Sequence, residues 1–200
     1  METIDSIEAL EALYDDAVPA ALTKVRPALT PAYRAWIERS RFCILTTVGP
    51  EGTDASPRGD VDPVVQIADA KTLLLPDWRG NNRMDSLRNI VRDGRVSLMF
   101  MVPGSDTVVR VNGKAKLTAD AGLRERFARD GKTPRTVAVI EIGEVYFQCA
   151  KALMRSKLWS AEHDLEGLPT AGAFLREADD SFDGEAYDTG YPEYAKTRMW

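Results

Sequence analysis

The 200-residue chain has one histidine, His163, and two cysteines, Cys43 and Cys149, far apart in sequence. Zinc sites draw on several His and Cys ligands at short paired spacings, and a hydrolytic triad needs a histidine held between nucleophile and acid. Neither set of parts is present, so zinc chemistry and His-dependent hydrolysis are not expected. Both cysteines read as buried thiols of a reducing compartment. Long hydrophobic runs are also missing: none approaches the roughly 20 residues that span a bilayer. The N-terminus METIDSIEALEALYDD is acidic and lacks an apolar signal core, so a cytoplasmic location without membrane contact is expected. No GxxxxGK[ST] loop occurs, and Gly49, Gly52 and Gly59 do not form a dinucleotide fingerprint. Any bound anion must therefore draw much of its countercharge from side chains.

What is present describes an ordinary globular chain, with 44% hydrophobic and 28% charged residues. Its length suits one domain over 1–200, with a helical extension over 1–30 and an acidic extension over 160–200. The net charge of -5 hides a strong division. Residues 1–23 hold six acids and no Lys or Arg, and residues 160–193 hold ten acids against Arg176 alone. The span 24–159 carries 23 basic residues against 15 acidic ones, a surplus of +8. A basic middle between acidic ends favours a small anionic ligand or a surface that the ends neutralise. A pI near 5.1 and the lack of basic–aromatic stacking motifs argue against nucleic acid.

Ile4, Ile7, Leu10 and Leu13 recur at helical spacing, and Thr30-Pro31 offers a cap and first-turn proline for a second helix carrying Tyr33, Trp36 and Ile37. Six β-branched or aromatic runs follow, at 42–49, 64–69, 72–77, 95–102, 107–118 and 136–149. Pro103-Gly104-Ser105-Asp106 reads as a tight turn joining two of them. Helices are expected at 84–92, stopped by Gly94, at 120–129, capped by Asp120 and stopped by Gly131, at 150–158 and at 170–178. Strands without regular helical crossovers predict an antiparallel barrel of mixed α+β, mainly β, character with peripheral helices.

Four stretches offer cations. ASPRGD (55–60) puts Arg58 in a turn braced by Pro57 and Gly59. DWRGNNRMDS (77–86) gathers Arg79, Asn81, Asn82 and Arg83 where a strand empties into a helix start, a place where free N–H groups and guanidinium forks suit a phosphate. The alternative is that the asparagines serve a left-handed turn and the arginines face water. VRVNG (109–113) places Arg110 on a strand, and CAKALMRSKLW (149–159) puts Lys151 and Arg155 one helical turn apart with no acid between them.

In this order, SPRGD (56–60), LLLPDWRGNNRMDSLRNI (73–90), VRVNG (109–113) and YFQCAKALMRSKLW (146–159) resemble a bacterial branch of the pyridoxamine 5'-phosphate oxidase-like, FMN-binding split-barrel family. The match runs over about 33–159. The resemblance implies a six-stranded antiparallel split barrel, a homodimer, and FMN held at the subunit interface. Arg58 matches an arginine that contacts the flavin. Arg79, Asn82 and Arg83 occupy the phosphate turn, with either arginine open as the phosphate ligand. Lys151, Arg155 and Trp159 match residues reaching the cofactor site, and Arg110 lies on a motif strand. Trp78 either packs beside the flavin ring or fills the barrel mouth. The oxidase branch grips its substrate with a C-terminal Arg-Leu-His-Asp-Arg segment, whereas this chain ends EYAKTRMW. The resemblance therefore does not extend to vitamin B6 oxidase activity. It implies an FMN-dependent oxidoreductase acting on a small organic molecule, with a non-catalytic FMN-binding or sensing protein, a deazaflavin user and a haem-binding relative as alternatives. Flavin carries the electrons itself, so no catalytic side chain is assigned.

Overall fold

The computed structural model describes residues 1–160 and 165–199. The strands among them are β1 (Phe42–Gly49), β2 (Gly52–Gly59), β3 (Gln66–Ile67), β4 (Thr72–Asp77), β5 (Arg95–Met101), β6 (Val108–Thr118) and β7 (Thr136–Gln148). They form one antiparallel sheet in the order β2-β1-β5-β6-β7-β4-β3. The sheet has seven strands rather than six, and the expected strand at 64–69 shrinks to the Gln66–Ile67 pair. The extra one is β2, which corrects the reading of Arg58 as a turn residue. Pro57 hid it, because proline cannot donate to a ladder, but β2 lies at the sheet edge where a missing donor is tolerated.

Alternation along β1 sends Cys43, Leu45 and Thr47 inward, where they meet a core including Leu73, Leu98, Phe100, Val111, Ile140 and Val145. Truncating a fully buried ring such as Phe100 to Ala costs about 3–5 kcal/mol by lost burial and cavity formation. β6 and β7 are long and change register between Asn112 and Gly113. A Cβ on Gly113 would meet the Glu141 carbonyl oxygen at 2.1 Å, so this bulge requires glycine. The sheet curls far enough that Arg58 of β2 pairs with Asp77 of β4 at 2.7 Å, although four strands separate them in the sheet order. This is the split-barrel class.

The helices among the described residues are α1 (Ile7–Glu11), α2 (Pro19–Thr23), α3 (Pro31–Ile37), α4 (Asp85–Arg92), α5 (Ala121–Glu125), α6 (Lys151–Ser156), α7 (Ala171–Ala178) and α8 (Gly184–Lys196). Thr30 and Asp120 cap α3 and α5 as their side chains predicted. α4 packs on β1: Ile90 joins the core, and Asn89 Nδ2 donates to Thr47 Oγ1 at 3.2 Å. Cys149 is exposed, against expectation, because it follows the end of β7, whereas Cys43 is buried and its thiol is pushed up to about 12 by desolvation. No helix among the described residues is long and apolar enough to cross a membrane.

Candidate functional site

Residues 54, 56 and 58 of β2 are half-buried while 53, 55 and 57 are exposed, so Arg58 projects toward the barrel interior opposite Cys43. Its Nη1 donates to Asp77 Oδ1 at 2.7 Å, and both side chains are about one-fifth exposed. Arg58 Nε is buried and has no hydrogen-bond partner among the described residues. Thr136, paired with Asp77 across the β4–β7 ladder, likewise has a buried Oγ1 without a partner there. Two unmatched polar atoms thus flank one ion pair, an arrangement that costs stability unless something external supplies the bonds.

Beyond Asp77 the chain turns outward at Trp78. The indole Nε1 donates to Asp60 Oδ2 at 3.2 Å, and Asp60, 6% exposed, also accepts from Arg129 Nη1 at 2.8 Å. Arg129 reaches Asp62 as well, at 2.7 Å, and lies 5.9 Å from the centre of the Trp78 ring. This network fixes the indole between two cavities. One, of about 270 Å³, is lined by Arg58, Leu75, Trp78, Arg79, Gly80 and Met199 among others. The other, about 490 Å³, shares Asp60, Pro76 and Trp78 and extends past Val65 to Phe127 and Arg126.

The turn after Trp78 separates its two arginines. Arg79 is exposed at the cavity edge, and its side chain has no hydrogen bond or ion pair among the described residues. Arg83 pairs closely with Asp85 in the first turn of α4, and its N–H donates to Asn81 Oδ1 at 2.9 Å. Asn82 adopts a left-handed backbone, φ 63°, as an asparagine-rich turn allows, and its Oδ1 accepts from Arg135 at 2.8 Å. Ser86 donates to Asp54 of β2, tying the start of α4 to the sheet edge.

The remaining candidates gather elsewhere. Arg110 points away from the core, between inward Val109 and Val111, with its guanidinium 5.3 Å from the centre of the Tyr146 ring. Trp159 Nε1 donates to the Ser105 carbonyl oxygen at 2.8 Å in the β5–β6 turn. Lys151 and Arg155 are exposed on α6, and neither is ion-paired among the described residues. None of these four lines either cavity. Sequence reasoning missed Asp60, Asp77, Arg129 and Met199. Asp60 was visible as the acid closing SPRGD, but its partner Arg129 lies 69 residues away and left no local signal.

No curated protein matches the chain. Among solved structures, a variant of HupZ from Group A Streptococcus aligns at TM-score 0.50 and 15% identity over 60% of this chain and 98% of its own. An FMN-binding protein of Syntrophomonas wolfei subsp. wolfei aligns at 0.42 and 15% identity, covering 58% of this chain and 88% of that one. An F420 reductase aligns at 0.44 and 17% identity, covering 60% and 98%. At 15% identity the likeness to HupZ speaks to the fold alone. The family profile described as pyridoxamine 5'-phosphate oxidase matches residues 29–149, which include all seven strands and both cavities' strand walls. The chain belongs to the pyridoxamine 5'-phosphate oxidase-like family.

Proposed function

We propose that the chain binds FMN at the Arg58–Trp78–Arg79 cavity and serves as an FMN-dependent oxidoreductase for a small organic substrate. The observation that carries this reading is the buried Arg58 Nε, an N–H beside a cavity bounded by an indole and the Arg79 guanidinium; among the described residues neither that N–H nor the Arg79 side chain has a partner. Those residues fit the cofactor. Arg58 offers a donor to a ring heteroatom or hydroxyl, Trp78 offers a flat face, and Arg79 offers charge to the phosphate. Asp77 keeps the Arg58 guanidinium in place, and Asp60 with Arg129 keeps the indole from rotating.

When bound, FMN supplies the electron transfer. The protein's part is to orient the cofactor and exclude water. Asp60 on the cavity wall and Asp77, the partner of Arg58, are both engaged by arginines, so neither is placed to shuttle protons. That observation also favours a second reading, a non-catalytic FMN-binding protein. Arg110, Lys151, Arg155 and Trp159 then complete the site of a second copy in a homodimer, since they lie away from the cavities of their own chain. The haem alternative comes from the family resemblance, and the chain's one histidine, His163, lies outside the described residues.

The test is stopped-flow reoxidation of chemically reduced, FMN-loaded protein against a panel of small organic acceptors. One acceptor that reoxidises the flavin faster than buffer does supports an enzyme. No acceleration by any member, with flavin bound, favours the non-catalytic reading.

A further inference from the structure

The sequence offered no helix beyond 178, yet α7 and α8 form a hairpin with a defined internal structure. Thr170 and Asp183 cap the two helices, and Asp188 Oδ1 accepts from the Gly172 N–H at 2.8 Å. Their backbones touch at Gly172 and Gly184, where a Cβ on Gly172 would meet the Gly184 carbonyl oxygen at 2.1 Å. Phe182, Tyr187, Tyr191 and Tyr194 follow one another along the hairpin with ring centres 5.7, 5.5 and 6.2 Å apart. Arg198 lies 4.4 Å from the centre of the Tyr194 ring and donates to its hydroxyl at 3.1 Å. Met199, the last described residue after this hairpin, has a definite place.

That place is the mouth of the smaller cavity. Met199 lines it together with Arg58, Trp78, Arg79 and Gly80, and remains about half exposed. A thioether beside an indole and the apolar walls of Leu75 and Pro76 is a favourable but modest contact, which suits a reversible seat. Charge points the same way. Residues 165–199 carry eight acids and three bases, while 24–159 has its surplus of +8.

We propose that the α7–α8 hairpin is an intramolecular strap that seats Met199 in the Arg58–Trp78–Arg79 cavity and must lift for a ligand to enter. The identity of that ligand as FMN rests on the reading above, whereas the seat itself does not. The strap makes this cavity gated by the chain's own C-terminal segment.

The test is cross-linking in the full chain. Gly80→Cys and Met199→Cys are introduced together with Cys149→Ser, and a short bis-maleimide joins the two new thiols. Gly80 tolerates a side chain, because a Cβ there meets nothing within 4 Å, and Cys43 is buried and stays protonated. A control carries Cys at exposed Gly190 of α8 in place of position 199. The strap predicts several-fold faster cross-linking from position 199 than from 190 in flavin-free protein, and several-fold protection by prior saturation with FMN. Equal rates from 199 and 190 would overturn the seat. Unchanged cross-linking with FMN bound, as its absorbance reports, would overturn the gating. A fast cross-link from 199 in protein that never takes up FMN would uphold the seat and instead overturn the flavin reading.

Discussion

In the proposed FMN site, what each arginine of the WRGNNR turn already holds decides which of them is expected to meet the phosphate. Arg83 is engaged by Asp85, while Arg79 is unpaired among the described residues at the cavity edge. Replacing Arg79 with Ala removes a charge-assisted contact of about 1.5–3 kcal/mol, which is a loss of roughly tenfold to a hundredfold in FMN affinity. Added salt shrinks the difference, because the site is exposed. Riboflavin has no phosphate, so its affinity should change by less than about twofold. Arg83→Ala acts only indirectly, by leaving the Asp85 charge uncompensated near the phosphate. Across water that repulsion is worth about 1 kcal/mol or less. Equilibrium fluorescence titrations of both variants with FMN and riboflavin separate these terms. If Arg83→Ala loses more FMN affinity than Arg79→Ala, or if Arg79→Ala weakens both ligands alike, the placement of the phosphate is wrong.

Other perturbations probe the frame around the site. Asp60→Ala removes one of the two carboxylates that hold the Arg129 head and the acceptor of the Trp78 indole N–H; a destabilisation of about 1–3 kcal/mol and a changed tryptophan emission are expected in denaturant titration. Gly113→Ala forces a methyl group into the Glu141 carbonyl oxygen and should lower stability by at least about 2 kcal/mol, read as a fall in Tm, whereas alanine at exposed Gly80 should leave Tm nearly unchanged. The side chain and backbone N–H of Arg95 hold the Asp93 carboxyl down to about 2 from its ordinary 3.8. A depressed carboxylate stabilises the fold above its unfolded value and loses that contribution as pH falls toward about 2. Wild type and Asp93→Asn should therefore differ in stability above about pH 4 and converge in more acid solution. In thiol labelling of the native protein, Cys149 should react and Cys43 should not until the fold opens.

Much of the barrel was legible because its strands carry alternating or continuous apolar runs with turn residues between them. β1, β4, β5, β6 and β7 fell within a residue or so of the sequence expectation. β2 was not legible, since GTDASPRG has almost no apolar face: it is an edge strand whose inward residues are Asp54, Ser56 and Arg58. The same polarity that concealed the strand is what puts a guanidinium inside the barrel. α8 was hidden for a related reason, because its two glycines and Pro192 argue against a helix locally, while the packing of Gly172 on Gly184 that favours it is tertiary. Arg58, Trp78 and Arg79 were recognised from short motifs and do line one cavity. Their supports were not, because Asp60–Arg129 and Arg58–Asp77 join residues distant in sequence.

The central claim is that this cavity holds FMN, and its most direct measurement is a titration of flavin-free protein with FMN, followed by absorbance and flavin fluorescence. Saturable binding, weakened by Arg58→Ala and by Arg79→Ala, with riboflavin bound less tightly than FMN, is the predicted result. Protein that is purified colourless, takes up no FMN at any concentration tested, and remains folded by circular dichroism would contradict it.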